Sequence, residues 1–346
     1  MVNNPAFLFP GQGAQYQGMA LDLFEAGGTA VRELFTLASD IMGRDMKALL
    51  AEADGETLKR SDISQPAITL ANLAAARYLE ERGIRPVAVA GFSLGEYAAL
   101  VAASVIDAAE CLRLVKIRGA AMQEASDRLG AAGGNPGMAA ILGLSPEKVE
   151  ALIAEWRIAG LPDLYGANFN SRTQVVVSGT AEALAEAERR FKEAGARRVV
   201  RLPVAGPFHS PLMAAAADAF APALEAADFK DPAIPLFSNV SGGQVTGYDL
   251  PGGQVIGYDV PGGQVVGYDV SGGRVTAAAA AKALALRQIT EPVRWTAEEA
   301  ALAVLGPDAV LEAGPGKVLQ GLWKDADTGV PCFAAGTAAE IDALGA

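Results

Sequence analysis

Apolar and polar positions along this chain fall into two recurring patterns. Short apolar runs bounded by glycine and proline read as buried strands. Longer runs with apolar residues three and four apart read as helices. Residues 6–9 form the first strand-like run, ended by the turn Pro10-Gly11-Gln12-Gly13. Helical spacing follows over 29–41 and 67–82. A second strand, 86–90, runs through Gly91-Phe92-Ser93-Leu94-Gly95 into a helix starting near Glu96. Strand, tight turn and helix in alternation predict an α/β core with a parallel sheet.

The rhythm changes after the glycine-rich stretch 130–137. Residues 138–144 read as a strand and 145–159 as a helix opened by a capping Ser145. Strands at 164–169 and 174–178, a helix at 181–196 and a strand at 198–203 complete the order β-α-β-β-α-β, the ferredoxin-like pattern. The expected organisation is a large parallel-sheet, α/β-hydrolase-like domain over 1–133 and 204–346, with a small ferredoxin-like domain, 134–203, inserted in it.

Three decapeptides stand in tandem over 242–271: GGQVTGYDLP, GGQVIGYDVP and GGQVVGYDVS, followed by a partial GGRVT. Each has a strand-like core and a Gly-Gly turn, so an antiparallel meander is the expectation. Without 242–271 the text rejoins in register as SNVSGGRVT. The segment therefore reads as a duplicated unit in a loop, where growth costs little entropy. A partner-binding arm using Tyr248, Tyr258 and Tyr268 is the alternative.

Composition narrows the class. With 346 residues, 51% of them apolar, the chain can bury a large core. Twenty-eight basic against 40 acidic side chains give a net charge of -12, which argues against nucleic acid and anionic membrane as partners. Apolar stretches such as 70–76 are too short to span a bilayer. Two cysteines cannot build a disulfide framework, and the first ten residues show no signal-peptide pattern. A cytoplasmic location without metal or resident cofactor is expected.

The candidate chemistry starts at Ser93. The G-x-S-x-G spacing between strand and helix is that of a nucleophile elbow, where small neighbours allow a strained turn and lift the hydroxyl to a helix N-terminus. Such a serine needs a base. The chain holds a single histidine, His209, among the turn residues Gly206-Pro207-Phe208-His209-Ser210.

Eight ordered motifs go further: FPGQGAQ (9–15), SQPAI (64–68), GFSLGE (91–96), RGAAMQ (118–123), NFNSRTQVVVSG (168–179), GPFHSPLM (206–213), QITEPVRW (288–295) and EAGPGKVL (312–319). Over about residues 6–323 the chain resembles the malonyl-CoA:acyl carrier protein transacylases, relatives of polyketide synthase acyltransferase domains. The resemblance implies malonyl transfer from a coenzyme A thioester to an acyl carrier protein through an ester on Ser93. It implies His209 as base, oriented by the backbone carbonyl of Gln288. It implies an oxyanion hole from the N–H groups of Gln12 and Leu94. Arg118 would hold the malonyl carboxylate, and Gln65, Asn170 and Gln174 would line the site. Phe208 matches the malonyl-selective form of its motif. Phe92 departs from the histidine that the family more often has there.

Carrier proteins of this kind are acidic, so a local basic patch is expected to dock one: Arg189, Arg190, Lys192, Arg197, Arg198 and Arg201, with Lys317 and Lys324 as weaker candidates. The rival reading is a serine esterase or acyl hydrolase. It needs an acidic third member between Ser93 and His209, such as Asp163.

Overall fold

The computed structural model describes residues 2–131, 135–249 and 274–345. Its centre is a parallel sheet of four strands in the order Cys332–Ala334, Ala309–Glu312, Pro5–Phe9 and Ala88–Gly91. An isolated parallel bridge from Val89 to Leu236 continues it. Pro5–Phe9 is buried throughout because it is covered on both faces. Phe7 and Phe9 pack into the helical layer that contains the Ser61–Glu81 and Ala108–Ala131 helices. Ala6 and Leu8 pack on the opposite face with Trp295, Leu319 and Trp323. A strand covered twice has no solvent side, so its sequence is continuously apolar rather than alternating.

The Ser61–Glu81 helix starts two turns before the expected residue 67, because Pro66 is accommodated inside it. The structure thereby places Gln65 in a fully buried helical turn. The Ala108–Ala131 helix, which carries Arg118, has no counterpart among the expected elements. It lies close along Ser61–Glu81: a Cβ on Gly119 would come within 2.6 Å of the Ser61 carbonyl oxygen.

Between these helices and His209 lies a second unit. Its strands are ordered Leu164–Ser171, Gln174–Gly179, Gly137–Leu142 and Arg198–Arg201, and every pair is antiparallel. Ser145 caps the helix Pro146–Ile158, and Thr180 caps Ala181–Glu193. One face of this sheet (Ala139, Ile141, Val175, Val177) packs under those helices with Trp156 and Phe191. The other face turns Met138, Ala140 and Val176 toward the large unit. The cleft between the units therefore has one wall made by a sheet.

Of the repeat, residues 250–273 lie outside the described residues, including Tyr258 and Tyr268. The strands at its two ends, Tyr248–Asp249 and Arg274–Val275, pair antiparallel. The described residues on either side of this gap therefore lie side by side. Among the described residues no helix is long and apolar enough to cross a membrane.

Candidate active site

The cleft measures about 440 Å³ and is lined by both units. Its floor is the turn after Ala88–Gly91. Ser93 has φ of +51°, in the left-handed region that side chains avoid. The flanking glycines explain how the chain tolerates it. A Cβ on Gly91 would come within 2.1 Å of the Gly95 backbone, and one on Gly95 within 1.9 Å of the Phe9 carbonyl oxygen. Only glycine on both sides lets strand and helix close this tightly, and the serine is lifted into the cleft.

His209 meets it there, with Nε2 2.8 Å from Ser93 Oγ. The imidazole is buried and its own φ is +56°. Nδ1 lies 2.8 Å from the Gln288 carbonyl oxygen and 3.2 Å from that of Glu291. Carbonyls only accept, so Nδ1 carries the hydrogen and Nε2 is left as the acceptor facing Ser93. No carboxylate hydrogen-bonds the imidazole among the described residues. Asp163 lies at the edge of the small unit, where its carbonyl accepts from Thr180. The acid that the esterase reading requires is therefore missing from His209. Burial first, and the charge of Arg118 second, push the His209 pKa down to about 4. The ring is neutral at pH 7, as a base must be.

Arg118 is wholly buried. Its Nη1 donates to Gln65 Oε1 at 2.8 Å and its Nη2 to Gln288 Oε1 at 3.0 Å. Among the described residues its Nε has no hydrogen-bond partner and no carboxylate forms an ion pair with it. Gln65 in turn donates to Met122 Sδ. Gln288 Nε2 donates to the Ser93 carbonyl oxygen at 2.9 Å and to Glu96. The side chain of Gln288, beyond its expected backbone carbonyl, thus ties Arg118 to the nucleophile turn. Burial pushes the Glu96 pKa up to about 7, against hydrogen bonds from Ser238 and Gln288 and the nearby Arg118 charge.

The N–H groups of Gln12 and Leu94 are spent on no acceptor among the described residues. Both residues line the cleft beside Ser93. Asn170 and Gln174 lie on the sheet wall, joined by a 2.9 Å hydrogen bond from Asn170 Nδ2, and Asn170 Oδ1 is left without a donor. Phe208 is buried against the cleft, its carbonyl taken by the Ser178 hydroxyl. Phe92 packs edge-on against Trp295 at 5.2 Å between ring centroids, so an aromatic contact fills the position of the family's more frequent histidine.

The basic residues divide. Arg189, Arg190 and Lys192 are engaged by Glu186, Glu193 and Glu188 on their own helix. Arg201 donates to the Ala181 carbonyl, and Lys317 pairs with Glu340. Arg198 lines the cleft.

Sequence reasoning missed Asn239, Glu96 and Glu298. For the two glutamates a signal existed: each is an acid within a short, largely apolar helical stretch, GEYAALVA for Glu96 and WTAEEAALA, which also holds Glu299, for Glu298. Asn239 carries no such signal. No group of three or more His, Cys, Asp or Glu among the described residues could hold a metal ion.

Residues 6–326 match the family model described as "Acyl transferase domain". The chain is 37% identical over 320 residues to the malonyl CoA-acyl carrier protein transacylase of Salmonella typhimurium (strain LT2), covering 92% of this chain and 91% of that protein. It superimposes with a TM-score of 0.82 on an acyl carrier protein S-malonyltransferase from Vibrio cholerae, at 34% identity, covering 99% and 100% of the two chains. A malonyl-transacylase solved in complex with its type II PKS acyl-carrier protein gives a TM-score of 0.81 at 34% identity, covering 98% of each chain.

Proposed function

This chain belongs to the acyl transferase domain family, and we propose that it moves a malonyl group from malonyl-CoA to the phosphopantetheine thiol of an acyl carrier protein, for fatty acid or polyketide synthesis. His209 Nε2 takes the Ser93 proton as Oγ attacks the thioester carbonyl. The Gln12 and Leu94 N–H groups receive the oxyanion. The intermediate collapses to malonyl-Ser93, and His209 returns the proton to the departing coenzyme A thiolate. The carrier thiol then enters the vacated cleft and gives its proton to His209. Its sulfur attacks the ester, and the Ser93 alkoxide recovers the proton from His209. The base, the nucleophile and the oxyanion donors all come from the chain, so this route uses no resident cofactor.

The observation that carries this reading is Arg118. A buried guanidinium that has, among the described residues, no partner on Nε and no carboxylate, beside the reacting pair, is incomplete until a substrate carboxylate arrives. Neutral esters would leave it so. The carbonyl-held His209 supports the same side against the hydrolase reading. Incubation with malonyl-CoA and intact-mass measurement tests it: a malonyl adduct on Ser93, discharged by carrier protein, is expected. Immediate hydrolysis without an adduct would refute it.

The strand order and two covering helices of 137–201 support a ferredoxin-like small domain that closes over the large one. Arg198, on the cleft wall, together with Arg197 beside it, is the part of the basic cluster best placed to meet an incoming acidic carrier. A cytoplasmic setting suits Cys111 and Cys332, which are free thiols.

A further inference from the structure

The nucleophile turn is held by a residue outside the roles assigned so far. The Ser93 N–H donates to Asn239 Oδ1 at 2.6 Å. The same side chain donates from Nδ2 to the Gly91 carbonyl oxygen at 2.6 Å and to Glu298 Oε2 at 2.8 Å. One amide therefore bridges the turn from Gly91, two residues before its apex, to the apex itself. Asn239 and Glu298 are both fully buried. The Asn239 carbonyl is held in addition by Arg294 N, one residue before the Trp295–Ala303 helix that carries Glu298.

We infer that Asn239 and Glu298 form a positioning pair that sets the reactivity of Ser93, Asn239 by clamping the strained turn and Glu298 by anchoring the Asn239 amide. The chemistry of the three groups admits one solution. Ser93 N–H can only donate and the Gly91 carbonyl can only accept, so the clamp needs one acceptor and one donor side by side. A carboxamide supplies both; a carboxylate or an apolar side chain does not. Glu298 takes the second Nδ2 hydrogen, so the amide cannot swing away without losing a buried partner. With the Ser93 N–H tied backward into the protein, the next N–H, that of Leu94, is the one left facing the cleft. The pair thus fixes the hydroxyl direction and the oxyanion donor together. Burial and the nearby Glu96 raise the Glu298 pKa well above the usual carboxylate range, and glutamine, of the same size and with an acceptor oxygen, is its close isostere.

The inference rests on Ser93 being the nucleophile, and its test separates the two claims. Single-turnover malonylation of Ser93 is measured alongside labelling of Ser93 by a fluorophosphonate, which needs no malonyl chemistry. In Asn239→Ala both rates are expected to fall about 10²-fold, the scale of losing a preorganised donor. The malonyl-CoA concentration for half-maximal acylation should change less than about threefold. Should Asn239→Ala not fold, the Glu298 pair carries the test. Glu298→Gln keeps the acceptor and should stay within about threefold of wild type in both rates. Glu298→Leu removes it and should lose about tenfold, the scale of one orphaned buried donor. Equal rates in the two Glu298 variants overturn the proposal, as does an Asn239→Ala loss confined to the half-saturating concentration. A wild-type enzyme that labels with fluorophosphonate but never forms the malonyl ester would refute the transfer reading instead. The Glu298 comparison by labelling would still decide the clamp.

Discussion

Arg118 Nη2 donates to Gln288 Oε1 at 3.0 Å, and the backbone carbonyl of the same glutamine holds the His209 imidazole at 2.8 Å. The proposed carboxylate holder and the proposed base are thus joined through one residue. Arg118→Ala should therefore lower malonyl transfer by about 10³-fold, on the scale of 3–5 kcal/mol for breaking a buried charge pair. Acetyl transfer, with no carboxylate to hold, should fall much less. Parallel assays with the two thioesters check this, and equal losses would make Arg118 a packing residue only.

Ser93→Ala should abolish the malonyl adduct while leaving a folded protein, since the hydroxyl is not part of the clamp that holds the turn. Intact mass after incubation with malonyl-CoA reads this directly. An adduct of unchanged yield would move the nucleophile elsewhere.

The acidic limb of kcat/KM should report His209 in the free enzyme, well below its ordinary value and toward about 4. Protonation removes the acceptor on Nε2, so rate is lost as pH falls through that value. Arg118 is one cause of the depression. A bound malonyl carboxylate should therefore neutralise it and shift the limb on kcat upward. In Arg118→Ala the kcat/KM limb should move up as well. Profiles of wild type and variant measure both shifts; coincident limbs would remove Arg118 from the account.

Four buried carboxyls hold protons more tightly in the fold than in the unfolded chain: Glu96 and Glu299, raised to about 7 and about 8, and Glu298 and Glu312, raised by burial as well. Between about pH 5 and pH 8 the native state thus binds more protons than the unfolded state. Stability contributed by these groups is lost as pH rises through that window. His209 works in the opposite sense below 6.5, as one group against four. Thermal melts should give a lower Tm at pH 8 than at pH 5.5. Glu299→Gln, which keeps an acceptor for Trp295 Nε1, should flatten the slope.

Deleting 242–271 should leave turnover similar, with at most a modest loss of stability. The rejoined GGRVT can follow the path of the present GGQVT, placing Val275 where the buried Val245 now packs. Gly247 already lies against Ala277, so the shortened strand ends where the next helix begins. Circular dichroism and a transfer assay check this. An inactive, folded deletion would give the repeat a functional role.

Reversing Arg197 and Arg198 to glutamate should raise KM for the carrier protein and steepen no salt dependence, because exposed attraction is screened and then absent. Acylation from malonyl-CoA should change less. Unchanged carrier transfer would place docking elsewhere.

Much of this was written in the chain. The glycines around Ser93 announce a turn that only glycine can flank, and a single histidine leaves one candidate imidazole. Local rules made the strand at 5–9 and the capped helices of the small unit legible, because apolar runs and capping side chains act within a few residues. The long helix carrying Arg118 was not legible. It packs against neighbours on several sides, so its apolar positions form no single stripe. The basic cluster likewise looked uniform along the chain. Helical spacing then gave Arg189, Arg190 and Lys192 to neighbouring glutamates, while strand direction put Arg198 on the cleft. The sequence by itself determined which residues could do the chemistry and the turn that presents the nucleophile. Only the tertiary structure decided that Gln288 joins His209 to Arg118 and that Asn239, 146 positions from Ser93, accepts from its N–H. Such pairings depend on how distant segments pack, and no local periodicity records them.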